Sequence, residues 1–275
     1  MSISGRAKLA GVIGWPVAHS LSPRLHGFWL AAHGIDGAYV PLAVARQDFA
    51  RVVAALRKAG FTGMNVTVPH KQAAFAISET VDDAAKASGA VNLLLFRDGR
   101  IEGRNTDAAG LAASLGEALG KTAVAGKDVA ILGAGGAARA AVLALTTMGA
   151  RNIRLVARNR QRAEALGQKL FDWNDAKALE GVALLINTTS AGMEGQSALD
   201  VNLDALPVTA VVSDVVYNPL DTALLIAARA RGHRTVDGLG MLMHQAAPAF
   251  EAFYGTRPQV TPALRAELKK ALRHG

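Results

Sequence analysis

Gly133-Ala134-Gly135-Gly136-Ala137-Ala138 carries the clearest chemical signal in this chain, because it meets the G-x-G-x-x-G/A spacing of a dinucleotide loop. The apolar run Val129-Ala130-Ile131-Leu132 precedes it and a helical pattern over Ala137 to Met148 follows, so the loop turns from a strand into a helix. Gly133 permits a tight turn, Gly135 lets the backbone approach a pyrophosphate, and Ala138 keeps the helix close to the sheet. The helix start offers unpaired N–H groups and a partial positive charge to phosphates. A site for an unphosphorylated ribose needs an Asp or Glu about 20 residues on, at the end of the next strand. Here the strand Ile153 to Val156 runs instead into Ala157-Arg158-Asn159-Arg160-Gln161-Arg162. Guanidinium groups at that place suit a 2′-phosphate, which predicts NADP(H), with Arg158 nearest the strand end. A solvated helix start is the other reading of the three arginines.

A second set of polar residues lies in the first third of the chain. Ser20 and Ser22 stand two apart just before a helix that Pro23 opens, and two hydroxyl donors at a helix start suit a carboxylate. Ser22 alone would serve as an ordinary N-cap. Asn65 and Thr67 alternate on an expected strand, Gly63 to Val68, with Lys71 one turn beyond Pro69. Polar side chains on a buried strand need partners, which a polyhydroxylated ligand or a neighbouring loop would supply. His19, His26 and His70 make no recognised zinc spacing, so no metal is expected, and His70 reads as a loop histidine of ordinary role.

The elements that must position these residues alternate short apolar runs with longer helical stretches, the signature of βαβ construction. Strands are expected at Leu9 to Ile13, Ala38 to Val44, Gly63 to Val68, Val129 to Leu132, Ile153 to Val156, Val182 to Ile186, Ala210 to Val215 and near Thr235. Helices are expected at Pro23 to Ala32 with Ser22 as N-cap, Phe49 to Ala59, Asp107 to Leu119, Ala137 to Met148, Arg162 to Leu170, Thr222 to Ala230, Leu239 to Tyr254 and the C-terminus. The 275 residues suit two domains, and an apolar fraction of 51% is enough to fill their cores. No apolar run is long enough to span a bilayer, and Met1 to Lys8 lacks a signal-peptide core, so a cytoplasmic protein without membrane contact is expected. The absence of cysteine excludes thiolate metal sites and a cysteine nucleophile. The net charge of +8 is scattered rather than gathered in one run, which argues against nucleic acid and for small anionic ligands.

Taken together, several segments resemble the shikimate dehydrogenase family over nearly the whole chain. They are Gly14 to His26 (GWPVAHSLSPRLH), Gly63 to Lys71 (GMNVTVPHK), Gly89 to Asn92 (GAVN), Gly103 to Asp107 (GRNTD), the glycine loop, Asn187 to Met193 (NTTSAGM), Asp214 to Pro219 (DVVYNP) and Gly238 to Ala246 (GLGMLMHQA). The resemblance implies two α/β domains. The first would be a substrate domain with a mainly parallel sheet, residues 1–107 plus 241–275, the C-terminal helices returning to it. The second would be a Rossmann-type NADP domain, residues 108–240. It implies a reversible, NADPH-dependent reduction of 3-dehydroshikimate to shikimate, with Lys71 and Asp107 as the catalytic pair. Lys71 would be the acid, and the base in reverse, with Asp107 orienting it and the hydroxyl. Ser20 and Ser22 would hold the carboxylate of this cyclohexene substrate, Asn65, Thr67, Asn92 and Gln245 its hydroxyls, and Tyr217 would lie alongside. Gly133, Ala134, Gly135, Gly136, Ala137, Arg158, Arg162, Thr188, Val215, Gly238 and Met241 would meet the cofactor. Gly27 and Leu93 depart from the residues common in the family, and Ala157-Arg158-Asn159 stands where many members have Asn-Arg-Thr, which keeps the arginine but leaves the contacts to the 2′-phosphate open. Quinate or an aminated analogue as substrate, or a catalytically silent NADP-binding sensor, are the rival readings, and a monomer or homodimer is expected.

Overall fold

The computed structural model of the chain describes residues 3–173 and 175–274. The chain divides into two compact units, one formed by Met1–Thr106 with Met243–Gly275 and the other by Asp107–Leu242. Asp107 and Met241 both belong to the second unit.

In the first unit the elements run β1 (Lys8–Gly14), α1 (Ser22–Ala32), β2 (Gly37–Ala43), α2 (Phe49–Lys58), β3 (Gly63–Val66), α3 (Lys71–Ile77), β4 (Thr80–Val81), α4 (Asp83–Ser88), β5 (Leu93–Arg97) and β6 (Arg100–Arg104). The sheet order is β2-β1-β3-β5-β6-β4. The β1–β2, β1–β3 and β4–β6 pairings are parallel, and β5 pairs antiparallel with both β3 and β6. Ile13, Val53, Met64 and Leu94 are buried in one cluster with Phe49 and Val66.

Two expectations need correction here. Ser22 is not the N-cap of α1 but its first residue, because Leu21 already has helical angles and caps the helix without a side-chain bond. β3 ends at Val66, two residues short of the expected limit, because the chain turns at once, His70 N–H bonding back to the Thr67 carbonyl at 2.9 Å. Thr67 therefore follows the strand instead of sharing it with Asn65. The stretch between Lys71 and Arg104, unassigned from sequence, folds into α3, α4 and the β5–β6 hairpin.

The second unit opens with α5 (Asp107–Leu119) and continues with β7 (Asp128–Leu132), α6 (Gly136–Thr147), β8 (Asn152–Val156), α7 (Arg160–Glu164), β9 (Lys169–Phe171), β10 (Leu184–Asn187), β11 (Val211–Asp214), α8 (Ala223–Ala230) and β12 (Arg234–Val236). All its strand pairings are parallel and the order is β12-β11-β10-β7-β8-β9. Numbered from β7 as the first strand, the sheet has the 3-2-1-4-5-6 type of order read from its β9 edge, with the switch of direction between β7 and β10 that marks a doubly wound dinucleotide fold. Alternate residues of β7 enter opposite cores, Val129 and Ile131 packing with α5 and α6, Ala130 and Leu132 with α8. A strand buried on both faces must be apolar throughout, and this one is. The expected helix from Arg162 to Leu170 is corrected to a single short α7 and an edge strand β9, because pairing with β8 (Leu155 opposite Leu170) outweighs the helical pattern.

Two helices complete the chain, α9 (Leu239–Tyr254) and α10 (Pro262–His274). From Met243 onward they belong to the first unit, where Phe250 and Phe253 pack beside His26 and Tyr39.

Candidate functional site

In the first unit a largely buried chain of polar groups links five of the predicted site residues. Ser20 Oγ accepts from the Ser22 N–H at 3.3 Å, which fixes the two serines on one turn at the start of α1. The Ser22 side chain lies beside the Tyr39 hydroxyl, which donates to Asn65 Oδ1 at 2.8 Å. Asn65 Nδ2 donates to the Asn92 carbonyl at 3.2 Å. Asn92 Nδ2 donates to Thr106 Oγ1 at 2.9 Å and reaches Gln245 Oε1 at 3.5 Å, while Asn92 Oδ1 accepts the Thr106 N–H at 2.9 Å. Ser22, Asn65, Asn92 and Thr106 are all buried. Such a network is costly unless satisfied, and here each member has partners.

Lys71 is half-buried at the first position of α3, its carbonyl accepting the Val91 N–H at 2.9 Å. The preceding His70 is 1% exposed, 2.7 Å from the Val44 carbonyl, and stacked on Phe49 with ring centroids 4.7 Å apart. Burial lowers its pKa. His70 thus packs the base of α3.

In the second unit the glycine loop lies between β7 and α6. Gly133 has φ +111°, a conformation side-chain-bearing residues rarely adopt, and a Cβ there would lie 2.8 Å from Thr188 Oγ1. Thr188 in turn donates its hydroxyl to the Leu132 carbonyl at 2.6 Å, locking the loop after β10 onto the end of β7. A Cβ at Gly135 or Gly136 would meet no atom within 4 Å, so the backbone at the start of the twelve-residue α6 stands open to an approaching group. That geometry fits a pyrophosphate. Arg158 is exposed after β8 with its guanidinium 4.7 Å from the centre of the Trp173 ring. Asn159 caps α7 by accepting the Arg162 N–H at 2.9 Å.

Sequence reasoning missed the carboxylate that organises the loops beyond β10 and β11. Asp214 is 1% exposed and accepts from Asn187 Nδ2 at 2.9 Å, Val216 N–H at 3.0 Å and Thr222 Oγ1 at 2.8 Å. Burial raises its pKa to about 6 against these three bonds, which pull the other way. Val215 follows directly, and Gly238 packs so tightly on it that any Cβ would overlap the Val215 carbonyl. Met241 packs on the core shared by α5 and α6. Gly238→Ala is expected to cost about 1–3 kcal/mol of stability, since neither side of this contact is a flexible side chain. Chemical denaturation would measure it, and an unchanged midpoint would show that the contact yields.

The predicted residues therefore fall into two groups. Ser20, Ser22, Asn65, Thr67, Lys71, Asn92 and Gln245 lie in the first unit, and Asp107, Tyr217 and the cofactor set lie in the second. Tyr39 and Thr106, which carry the first network, have no role assigned from sequence, and neither do Asn187, Asp214 and Trp173 in the second unit. Asn187, Thr106 and Asp214 lie inside recognised motifs, but Tyr39 and Trp173 have no motif to mark them. Among the described residues there is no cluster of three or more side chains suited to a metal ion, and no helix is long and apolar enough to cross a membrane.

Comparison with known proteins places the chain in a family. Residues 12–94 match the family model of the shikimate dehydrogenase substrate binding domain. The NADP(+)-dependent shikimate dehydrogenase of Paramagnetospirillum magneticum is 54% identical over 272 residues, covering 96% of this chain and 99% of that protein. Among solved structures, shikimate dehydrogenase from Aquifex aeolicus superposes with a TM-score of 0.90 at 31% identity, covering 98% of this chain and 100% of the other. The Thermus thermophilus shikimate 5-dehydrogenase, solved in complex with NADP(H) and shikimate, gives a TM-score of 0.85 at 35% identity, covering 97% and 99%. With strand order, glycine loop and near full-length identity in accord, the chain belongs to the shikimate dehydrogenase family.

Proposed function

We propose that the chain catalyses the reversible, NADPH-dependent reduction of 3-dehydroshikimate to shikimate, a step of chorismate and aromatic amino-acid biosynthesis. The observation that carries this reading is the buried network Ser22–Tyr39–Asn65–Asn92–Thr106–Gln245, whose amides and hydroxyls suit a small carboxylated, polyhydroxylated ring. In this reading the first unit, residues 1–106 with 243–275, is the substrate-binding part, and the second, residues 107–242, is the NADP-binding part.

When bound, NADPH supplies the hydride that reaches the carbonyl carbon. Ser20 and Ser22 donate to the carboxylate and set the ring's direction, while Asn65, Thr67, Asn92 and Gln245 bond its hydroxyls. The Lys71 ammonium gives its proton to the carbonyl oxygen as that oxygen gains negative charge, and recovers it from the hydroxyl in the oxidative direction. Asp107 is the second member of the catalytic pair, and Tyr217 is a further substrate residue. Gly133 to Ala137 would hold the pyrophosphate, Arg158 and Arg162 the 2′-phosphate, and Thr188, Val215, Gly238 and Met241 would meet the nicotinamide end.

Steady-state rates with shikimate and with quinate, each with NADP and with NAD, test the proposal. Turnover is expected to be highest with shikimate and NADP. Absence of turnover in every combination would overturn it in favour of a silent binding protein, and a preference for quinate would reassign the substrate.

A further inference from the structure

Three arginines follow β8 within six residues, and the segment after β9 treats them differently. Arg160 is held away in ion pairs, 2.8 Å from Asp172 and 3.7 Å from Glu164. Its charge is already answered by two carboxylates. Arg158 has no such partner among the described ion pairs and instead stands 4.7 Å over the indole of Trp173. That indole is itself anchored, its Nε1 donating to the Asp200 carbonyl at 2.8 Å. It also walls a cavity of about 150 Å³ together with Leu132, Val156, Ala178 and Leu179, so its position is set by strand ends of the sheet as well as by the hydrogen bond. Phe171 on β9 receives the Arg154 guanidinium at 5.9 Å and the Lys169 ammonium at 5.1 Å, so cation–ring contacts recur along this edge.

We infer that Trp173 is a positioning residue for NADP preference, an aromatic shelf that presents the Arg158 guanidinium to the 2′-phosphate while Asp172 withdraws Arg160 from that task. A guanidinium on an aromatic face keeps its planar N–H donors pointing outward, because the ring occupies a face and not the hydrogen-bonding edge. The free side chain would otherwise sample many rotamers, and fixing it before binding removes part of the ordering cost of binding. The inference rests on the assignment of Arg158 to the 2′-phosphate.

The test compares Trp173→Ala, Trp173→Phe, Arg158→Ala, Arg160→Ala and the double variant Trp173→Ala/Arg158→Ala by kcat and KM for NADP and for NAD with shikimate. Trp173→Ala is expected to raise KM for NADP about threefold to tenfold, the range of a cation–ring contact, with kcat and the KM for NAD within about twofold of the parent. Trp173→Phe keeps a ring and should recover most of the loss. The double variant should be no worse than Arg158→Ala alone, and Arg160→Ala should leave KM for NADP near the parent value. If Arg158→Ala leaves KM for NADP unchanged, the assignment of Arg158 fails and the inference with it. If Arg158→Ala weakens NADP but Trp173→Ala leaves KM unchanged, raises KM for NAD equally or adds its loss in full to that of Arg158→Ala, the shelf alone is overturned.

Discussion

Lys71→Ala is expected to lower kcat by about 10²–10⁴-fold, the usual worth of a positioned general acid or base, while KM for shikimate changes no more than about threefold. At 25 °C that loss corresponds to roughly 3–5 kcal/mol of transition-state stabilisation. The fold should survive the change. α3 is held by main-chain bonds, Lys71 carbonyl to Val91 N–H and Ala74 N–H to the His70 carbonyl at 2.8 Å, and alanine is the better helix former. Below it, His70 is fixed by Val44 and Phe49 whatever stands at position 71. A loss confined to kcat therefore separates a proton donor from a binding lysine, which would raise KM instead. Partial recovery by an added small primary amine would strengthen the assignment, since it restores an ammonium and nothing else. Near-parental kcat in Lys71→Ala would remove Lys71 from the chemistry.

Why the sequence yields so much of this site, and where it stops, follows from how local each signal is. The glycine loop is legible because its requirements are local: a positive φ at Gly133, open backbone at Gly135 and Gly136, and a buried Ala138. The second unit's strands are legible for a related reason, since central strands buried on both faces leave short apolar runs such as Val129 to Leu132. β9 is not legible. Its three residues become a strand only because β8 offers a free edge, and in isolation Arg162 to Leu170 has a helical pattern. Trp173 is lost with it, so the arginines can be recognised as a group while their division of labour cannot. In the first unit Ser22 reads as a cap because Ser-Pro opens many helices, whereas its side chain lies beside the hydroxyl of Tyr39, 17 positions along the chain and on another element. Asp214 shows the same limit, as a carboxylate inside a recognised motif whose three donors come from β10, its own loop and the cap of α8.

Acidification is expected to act on the two units in opposite directions, and most strongly on the first. His26 is fully buried among Trp29, Tyr39, Phe250 and Phe253, stacked on Tyr39 with centroids 3.8 Å apart, and neither ring nitrogen has a hydrogen-bond partner. Desolvation lowers its pKa from 6.5 to about 3. The unfolded chain therefore binds this proton first. The stability tied to a neutral His26 is intact above pH 6.5 and is lost as pH falls toward 3, about 3 kcal/mol of it by pH 4.5 and roughly 4 by pH 3. Asp214 has the opposite sign. Its pKa in the folded chain, about 6 against 3.8, makes the folded state bind the proton first, so about 3 kcal/mol returns as pH falls from 6 through 3.8. Because the two changes oppose each other between pH 6 and 4, a whole-protein melt would blunt both. Segment-resolved hydrogen exchange would separate them, with protection falling around α1 and β2 and rising around β11 and the start of α8. His26→Phe keeps a ring against Tyr39 without the titration, and should abolish the acid-dependent part of the loss in the first unit. Carboxylates elsewhere titrate alike in parent and variant and cancel in the difference. Should the phenylalanine variant lose as much protection between pH 6.5 and 4.5 as the parent, His26 is not the group responsible. Since Tyr39 joins the His26 stack to Asn65, loosening this cage at low pH should weaken shikimate binding while the second unit gains stability.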